Sequence, residues 1–223
     1  MHPTAKAAEV FKHCGLTKFP INPLRIARDY HIHVMTYEQL SRFSGYESQL
    51  LFDISGDAFS FFRDGKFFIA YNPLIGSKGR RRWTLLHEIS HILLGHISEQ
   101  NPIETDFAQK PYLESEADAL TRALIAPIPM MIMCHCESVR DVQRIFGVSA
   151  QAAGNLYMEY RHMVDYKIAQ VDHMMQYGDS LNAFLPFAMA QTRAIYSRTI
   201  HRKQSERIHL DINMTEDEWE QKR

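Results

Sequence analysis

Cysteine is scarce in this chain: Cys14, Cys134 and Cys136 are its only three among 223 residues. Too few and odd in number for a disulfide framework, they point to a reducing compartment, and a cytoplasmic location is expected. No run approaches the ~18 consecutive apolar residues of a membrane span. The opening MHPTAKAAEVFKHCGLTKF lacks the charged start and sustained apolar stretch of a secretory leader. An excess of charge is also missing, since 25 Lys and Arg stand against 26 Asp and Glu for a formal net charge of -1. That balance argues against attraction of the whole chain to nucleic acid or an anionic membrane. One local basic cluster, Lys78 to Arg82, reads as the solvated entrance of a helix.

What is present is an ordinary globular composition, 45% hydrophobic and 23% charged, on a chain long enough for one sizeable core with an appended helical piece. The stretch RRRWTLLHEISHILLGH, residues 80 to 96, stands out because it contains His87-Glu88-Ile89-Ser90-His91, an H-E-x-x-H motif. On a helix the two histidines differ by only about 40° in direction and about 6 Å along the axis, so both imidazoles leave one side. A zinc ion with bonds of about 2.0–2.1 Å to nitrogen can reach both. Glu88, about 100° round the helix, is turned away from direct ligation but placed to act as general base toward water. Leu85, Leu86, Ile89, Ile92, Leu93 and Ile97 form one apolar face, and the histidines point away from it.

Around this helix the chain divides into short elements. Residues 3 to 18 predict an amphipathic helix ending near Gly15. Asn22 then caps a second helix with Pro23 at its first position and Leu24, Ile26, Ala27 and Tyr30 as its buried side. His31 to Thr36 reads as a strand, with His31 and His33 on a polar face. Residues 57 to 72 read as a hairpin turning at Asp64-Gly65, where glycine tolerates positive φ. Glu99 to Pro111 is a polar connection, after which a helix starts near Tyr112, buries Leu113, Ala117, Leu120 and Leu124, and stops at Ala126-Pro127. Two or three short helices follow. Gly147-Val148-Ser149, with Ser149 as N-cap, gives residues 138 to 161 the look of a helix-turn-helix. Its second helix has no Lys or Arg before Arg161, so packing against the metal-binding part is expected rather than direct DNA binding. Cys134 and Cys136 read as buried apolar residues on a helix. Residues 163 to 223 form a helical tail of unassigned role, interrupted at Pro186, with a capping box from Thr215 to Glu218 near its end.

A catalytic zinc needs a third protein ligand. His96 does not qualify on an unbroken helix, where it points about 180° from His87. The segment PYLESEADALTRALIAP offers Glu114, Glu116 and Asp118, and helical periodicity does not choose between the two glutamates.

Taken together, Arg82-Trp83-Thr84, His87-Glu88-Ile89-Ser90-His91, Glu114-Ser115-Glu116-Ala117-Asp118, Leu124-Ile125-Ala126-Pro127 and Phe146-Gly147-Val148-Ser149 resemble the pattern of the ImmA/IrrE metallopeptidases. Ile69-Ala70-Tyr71-Asn72 and Asn22-Pro23 with Ile26-Ala27 extend the likeness, from about residue 20 to 162. Trp83 stands where the family commonly has Phe, and Ile125-Ala126 departs mildly from its usual pair. The resemblance implies His87, His91 and Glu114 as metal ligands, Glu88 as general base, and Asp118 as the acceptor that orients a ligating histidine. It also implies zinc as cofactor, although two histidines and a carboxylate with an open position can also hold iron, cobalt or manganese.

The fold expected is α+β: a small zincin-like domain over residues 21–162, with a short antiparallel sheet packed on the metal-binding helix. An N-terminal helix (1–20) precedes it and the helical C-terminal region (163–223) follows. Tyr71 is a candidate donor to the transition-state oxyanion, and the strand from Lys66 to Tyr71 a candidate sheet edge for strand addition by a peptide. The function implied is hydrolysis of a helix-turn-helix transcriptional repressor. The alternative is a metal-dependent module that sequesters a repressor or toxin without cutting it.

Overall fold

The computed structural model describes residues 2–45, 47–103, 111–165 and 174–212. The chain opens with α1 (Pro3–His13) and α2 (Pro23–Asp29), then β1 (Ile32–Thr36), α3 (Tyr37–Ser44), α4 (Ser48–Ser55), and the hairpin β2 (Ala58–Arg63) and β3 (Lys66–Tyr71). Next come α5 (Lys78–Leu93), α6 (Pro111–Ile125), α7 (Ile128–Met133), α8 (Val139–Phe146) and α9 (Ala150–Asp165). A 3-10 turn, Gly178–Phe184, leads into α10 (Leu185–Ile212).

Local chemistry explains most of these boundaries. Asn22 caps α2 by accepting from the Leu24 N–H at 3.1 Å, with Pro23 in the first turn where its missing N–H is harmless. Pro23, Ile26 and Ala27 are buried on one side of α2, but Leu24 lies off that side and is 53% exposed. Asp64 and Gly65 both take positive φ, 50° and 74°, and join Arg63 to Lys66 in a two-residue hairpin. Ser149 caps α9 by accepting from the Ala152 N–H at 3.2 Å. Pro186 is the second residue of α10, so it begins that helix where the sequence suggested an interruption. The expected capping box at Thr215 lies outside the described residues.

The α+β class holds, but the sheet is mixed rather than antiparallel. Its order is β1-β3-β2, with β3 antiparallel to β2 and parallel to β1. The two helices α3 and α4 carry the chain from β1 at one edge to β2 at the other, and the hairpin then returns β3 into the place between them, parallel to β1. Neither helix is among the elements expected from the sequence, although Thr36 and Gln39 form a reciprocal capping box at the start of α3. The central position of β3 also corrects the expected free edge. Both long sides of Lys66–Tyr71 are occupied by other strands, so no peptide can add there. The outer edge of β2 is partly covered too: the Phe62 N–H donates to the Pro102 carbonyl at 2.8 Å, and Phe61 bridges to Ile103.

Two cores flank the sheet. On one face Tyr37, Leu51 and Ala70 pack with Phe59 and Phe61. On the other, the large core joins Ile69 to Leu86 and Ile89 of α5, Leu120 and Leu124 of α6, and Phe11 of α1. Phe19 contacts Phe146 and Phe184 there, at ring-centroid distances of 4.9 and 4.8 Å, tying the first turns of the chain to its late helices. Cys134 and Cys136 are buried as expected, just past α7 rather than within a helix. Among the described residues, no helix is long and apolar enough to cross a membrane.

Candidate metal centre

The metal-binding helix is built by its apolar face. Ser77 caps α5 by accepting from the Arg80 N–H, and Leu85, Leu86, Ile89 and Ile92 are all buried. Burying that stripe leaves His87 and His91 on the flank that meets α6. Contact between the two helices is close because small polar residues line it. The Ser90 and Thr121 hydroxyls lie 3.0 Å apart, and a carbonyl of each one's own helix, Leu86 or Ala117, is within 2.8 Å, so one hydroxyl donates to the other and the second donates to its own helix carbonyl. Their hydroxyls are thereby satisfied although fully buried.

This packing brings Glu114 of α6 to the two imidazoles. His87 Nε2 lies 3.0 Å from His91 Nε2 and 3.2 Å from Glu114 Oε2, and His91 Nε2 lies 3.5 Å from Glu114 Oε1. Three ligands of a tetrahedral ion with bonds of about 2.0–2.1 Å stand about 3.3–3.4 Å apart, so the triangle has the size that zinc requires. Among the described residues these three form the only group of His, Cys, Asp and Glu whose ligand atoms converge in this way.

The outer nitrogens support the same reading. Asp118 Oδ1 lies 3.1 Å from His87 Nδ1, and His96 Nδ1 lies 3.0 Å from His91 Nδ1. If the Nδ1 protons are engaged there, two bare Nε2 lone pairs and a carboxylate face one another. Such a set repels itself unless a cation sits among it. Electrostatics agree. The hydrogen bond from His87, against the cost of burial, holds the Asp118 carboxyl below the usual carboxylate range. Burial, reinforced by the neighbouring His87 and His96, lowers His91 to about 3, so its ring is neutral and able to ligate.

Glu88 is 3% exposed and accepts a hydrogen bond of 2.8 Å on Oε2 from the Ser60 hydroxyl of β2. Nothing in the sequence marked Ser60, whose role depends on the sheet lying against α5. His96, which an unbroken helix would point away from His87, and Glu116, which periodicity does not separate from Glu114, meet at the site's periphery, with His96 Nε2 at 3.3 Å from Glu116 Oε2. Tyr71 lies half-buried against the main core at the end of β3. Among the described residues no hydrogen bond links it to His87, His91 or Glu114.

The basic cluster before the motif has internal partners. Arg80 pairs with Asp57 at 2.7 Å, Arg81 donates to the Pro73 carbonyl, and Arg82 donates to the carbonyls of Ile21 and Gly147. Gly79 abuts the turn between α8 and α9 so tightly that a Cβ on it would meet Ser149 N and Val148 C at 2.6 Å. The turn that leads into α9 is thus packed on the first turn of α5, while Ala150 and Gln151 at the start of α9 are exposed. His31 precedes β1 at positive φ and His33 stacks on Phe68, with ring centroids 5.0 Å apart.

No curated protein sequence matches the chain. Residues 49–156 match the model of the family described as IrrE N-terminal-like domain, Peptidase_M78, a span that holds the hairpin, the H-E-x-x-H helix, α6 and the turn before α9. Over that span the chain is similar to the IrrE N-terminal-like family of metallopeptidase-type domains.

Proposed function

We propose that the protein is a zinc-dependent endopeptidase that hydrolyses a peptide bond in a helix-turn-helix transcriptional repressor, so that cleavage relieves repression. The observation that carries the catalytic part is the His87–His91–Glu114 triangle, sized for one ion, whose two histidines stand on the helix that also carries the buried carboxylate of Glu88 between them in sequence. The repressor as substrate is supported by the resemblance to ImmA/IrrE peptidases. Zinc, when bound, would act as a Lewis acid toward the attacking water and the scissile carbonyl.

The chain's own residues supply the rest. Glu88 takes the proton of the attacking water and delivers it to the leaving amine, while Ser60 restrains the rotation of that carboxylate. His91, with no side-chain exposure, forms the floor of the site, and the half-exposed Glu114 and Asp118 form its open side. A substrate would therefore approach along α6. Three free, buried cysteines suit the reducing cytoplasm in which such a repressor works. The close packing of Gly79 on the turn before α9 supports a structural role for the helix-turn-helix-like part in place of DNA reading.

The test uses the full chain loaded with zinc and the helix-turn-helix repressor encoded beside its gene. The unsubstituted protein should cut the repressor into two fragments, and Glu88→Gln should keep its zinc and cut nothing. Cleavage by Glu88→Gln at the normal rate would overturn the assignment of the base. An intact repressor held in a stable complex would overturn cleavage and favour the sequestering module.

A further inference from the structure

We propose that His96 and Glu116 form a positioning relay that sets the tautomer of His91 and so directs the His91 Nε2 lone pair at the metal. The inference rests on the reading of His91 as a ligand.

The backbone places His96 for this purpose. Helix α5 stops at Leu93, and Gly95 adopts φ 76°, a conformation that turns the chain back on the helix and that a Cβ disfavours. The His96 N–H then bonds to the His91 carbonyl at 3.0 Å, and the two rings meet at a centroid distance of 5.1 Å and an angle of 69°. Asn101 secures the turn by donating from Nδ2 to the His96 carbonyl at 2.7 Å. The His96 ring is held in a buried position between His91 and the exposed carboxylate of Glu116.

Proton counting gives the relay its direction. A neutral imidazole carries one N–H. Glu116 accepts from His96 Nε2–H, which leaves His96 Nδ1 as an acceptor only. His91 Nδ1 must then be the donor across their 3.0 Å contact, and His91 Nε2 is left bare beside His87 Nε2 and Glu114. Without Glu116, His96 can carry its proton on Nδ1 and donate it to His91. That reversal puts the His91 proton on Nε2 and removes the lone pair from the centre. Asp118 performs the equivalent service for His87 directly. Both histidines are thus held from behind by carboxylates of one helix, His91 through an intervening imidazole.

The experiment is a zinc competition titration against a chromophoric chelator on the full chain, with thermal unfolding of each metal-free variant alongside. His96→Ala should weaken zinc binding about 10- to 100-fold, the usual cost of losing a partner behind a ligating histidine. His96→Asn, whose amide oxygen can accept from His91 Nδ1–H, should restore most of that loss. Glu116→Ala, at an exposed position, should weaken binding while leaving the metal-free unfolding temperature unchanged. Normal affinity in both His96→Ala and Glu116→Ala, or His96→Asn as weak as His96→Ala, would overturn the relay. Failure of the metal reading is seen separately, as zinc binding in His87→Ala equal to that of the unsubstituted protein.

Discussion

Ser60 and Glu88, 28 residues apart, share a hydrogen bond of 2.8 Å in which a strand hydroxyl donates to the carboxylate of the metal-binding helix. Both residues are buried, so the bond is shielded from water. A charged acceptor in such surroundings makes the contact stronger than an ordinary neutral one.

Replacing Ser60 with Ala should cost about 1.5–3 kcal/mol of stability, the worth of a hydrogen bond to a charged group. Turnover should fall while zinc content and KM stay near normal, since no ligand is touched. Denaturant titration, metal analysis and steady-state kinetics on the same preparation separate these effects.

Asp118→Ala removes the acceptor behind His87 and should weaken zinc binding about 10- to 100-fold. Asp118→Asn retains an acceptor without its charge, so its loss should be smaller. Chelator competition ranks the two variants.

The metal-free protein should lose stability on mild acidification. His91 is lowered to about 3 in the folded state, and burial lowers His96 as well, whereas unfolded histidine takes up its proton near pH 6.5. Above that value both states are neutral and stability is complete; below it only the unfolded state gains protons. Stability should therefore decline from about pH 6.5 downward, by at most about 1.4 kcal/mol per pH unit for each histidine, and for His91 the decline continues toward its folded value. Urea midpoints at pH 8, 7, 6 and 5 should be equal at the first two and fall at the last two.

Gly79→Ala should destabilise the fold by about 1–3 kcal/mol, because its Cβ would press on the backbone of Val148 and Ser149. Gly76→Ala is the control, with open space at its Cβ and no positive φ. Thermal unfolding should show a clear drop for the first variant and little change for the second.

What the sequence determined by itself was local. The stop after α1 near Gly15, the Asn22 and Ser149 caps, the Asp64-Gly65 turn and the apolar face of α5 each depend on neighbours a few residues away. The shared direction of His87 and His91 is of this kind, being fixed by helical spacing alone. Tertiary structure decided what distance along the chain conceals. Periodicity left Glu114 and Glu116 equivalent, and only the packing of α6 on α5 turned one toward the imidazoles and the other toward His96. An unbroken helix would have pointed His96 away, but the turn at Gly95 returned it to His91. Strand order likewise came from pairing between β1 and β3, so the hairpin strand expected at an edge became the centre of the sheet. Caps and turns are settled by bonds within a few residues, whereas a shared site needs surfaces that meet only when the core closes.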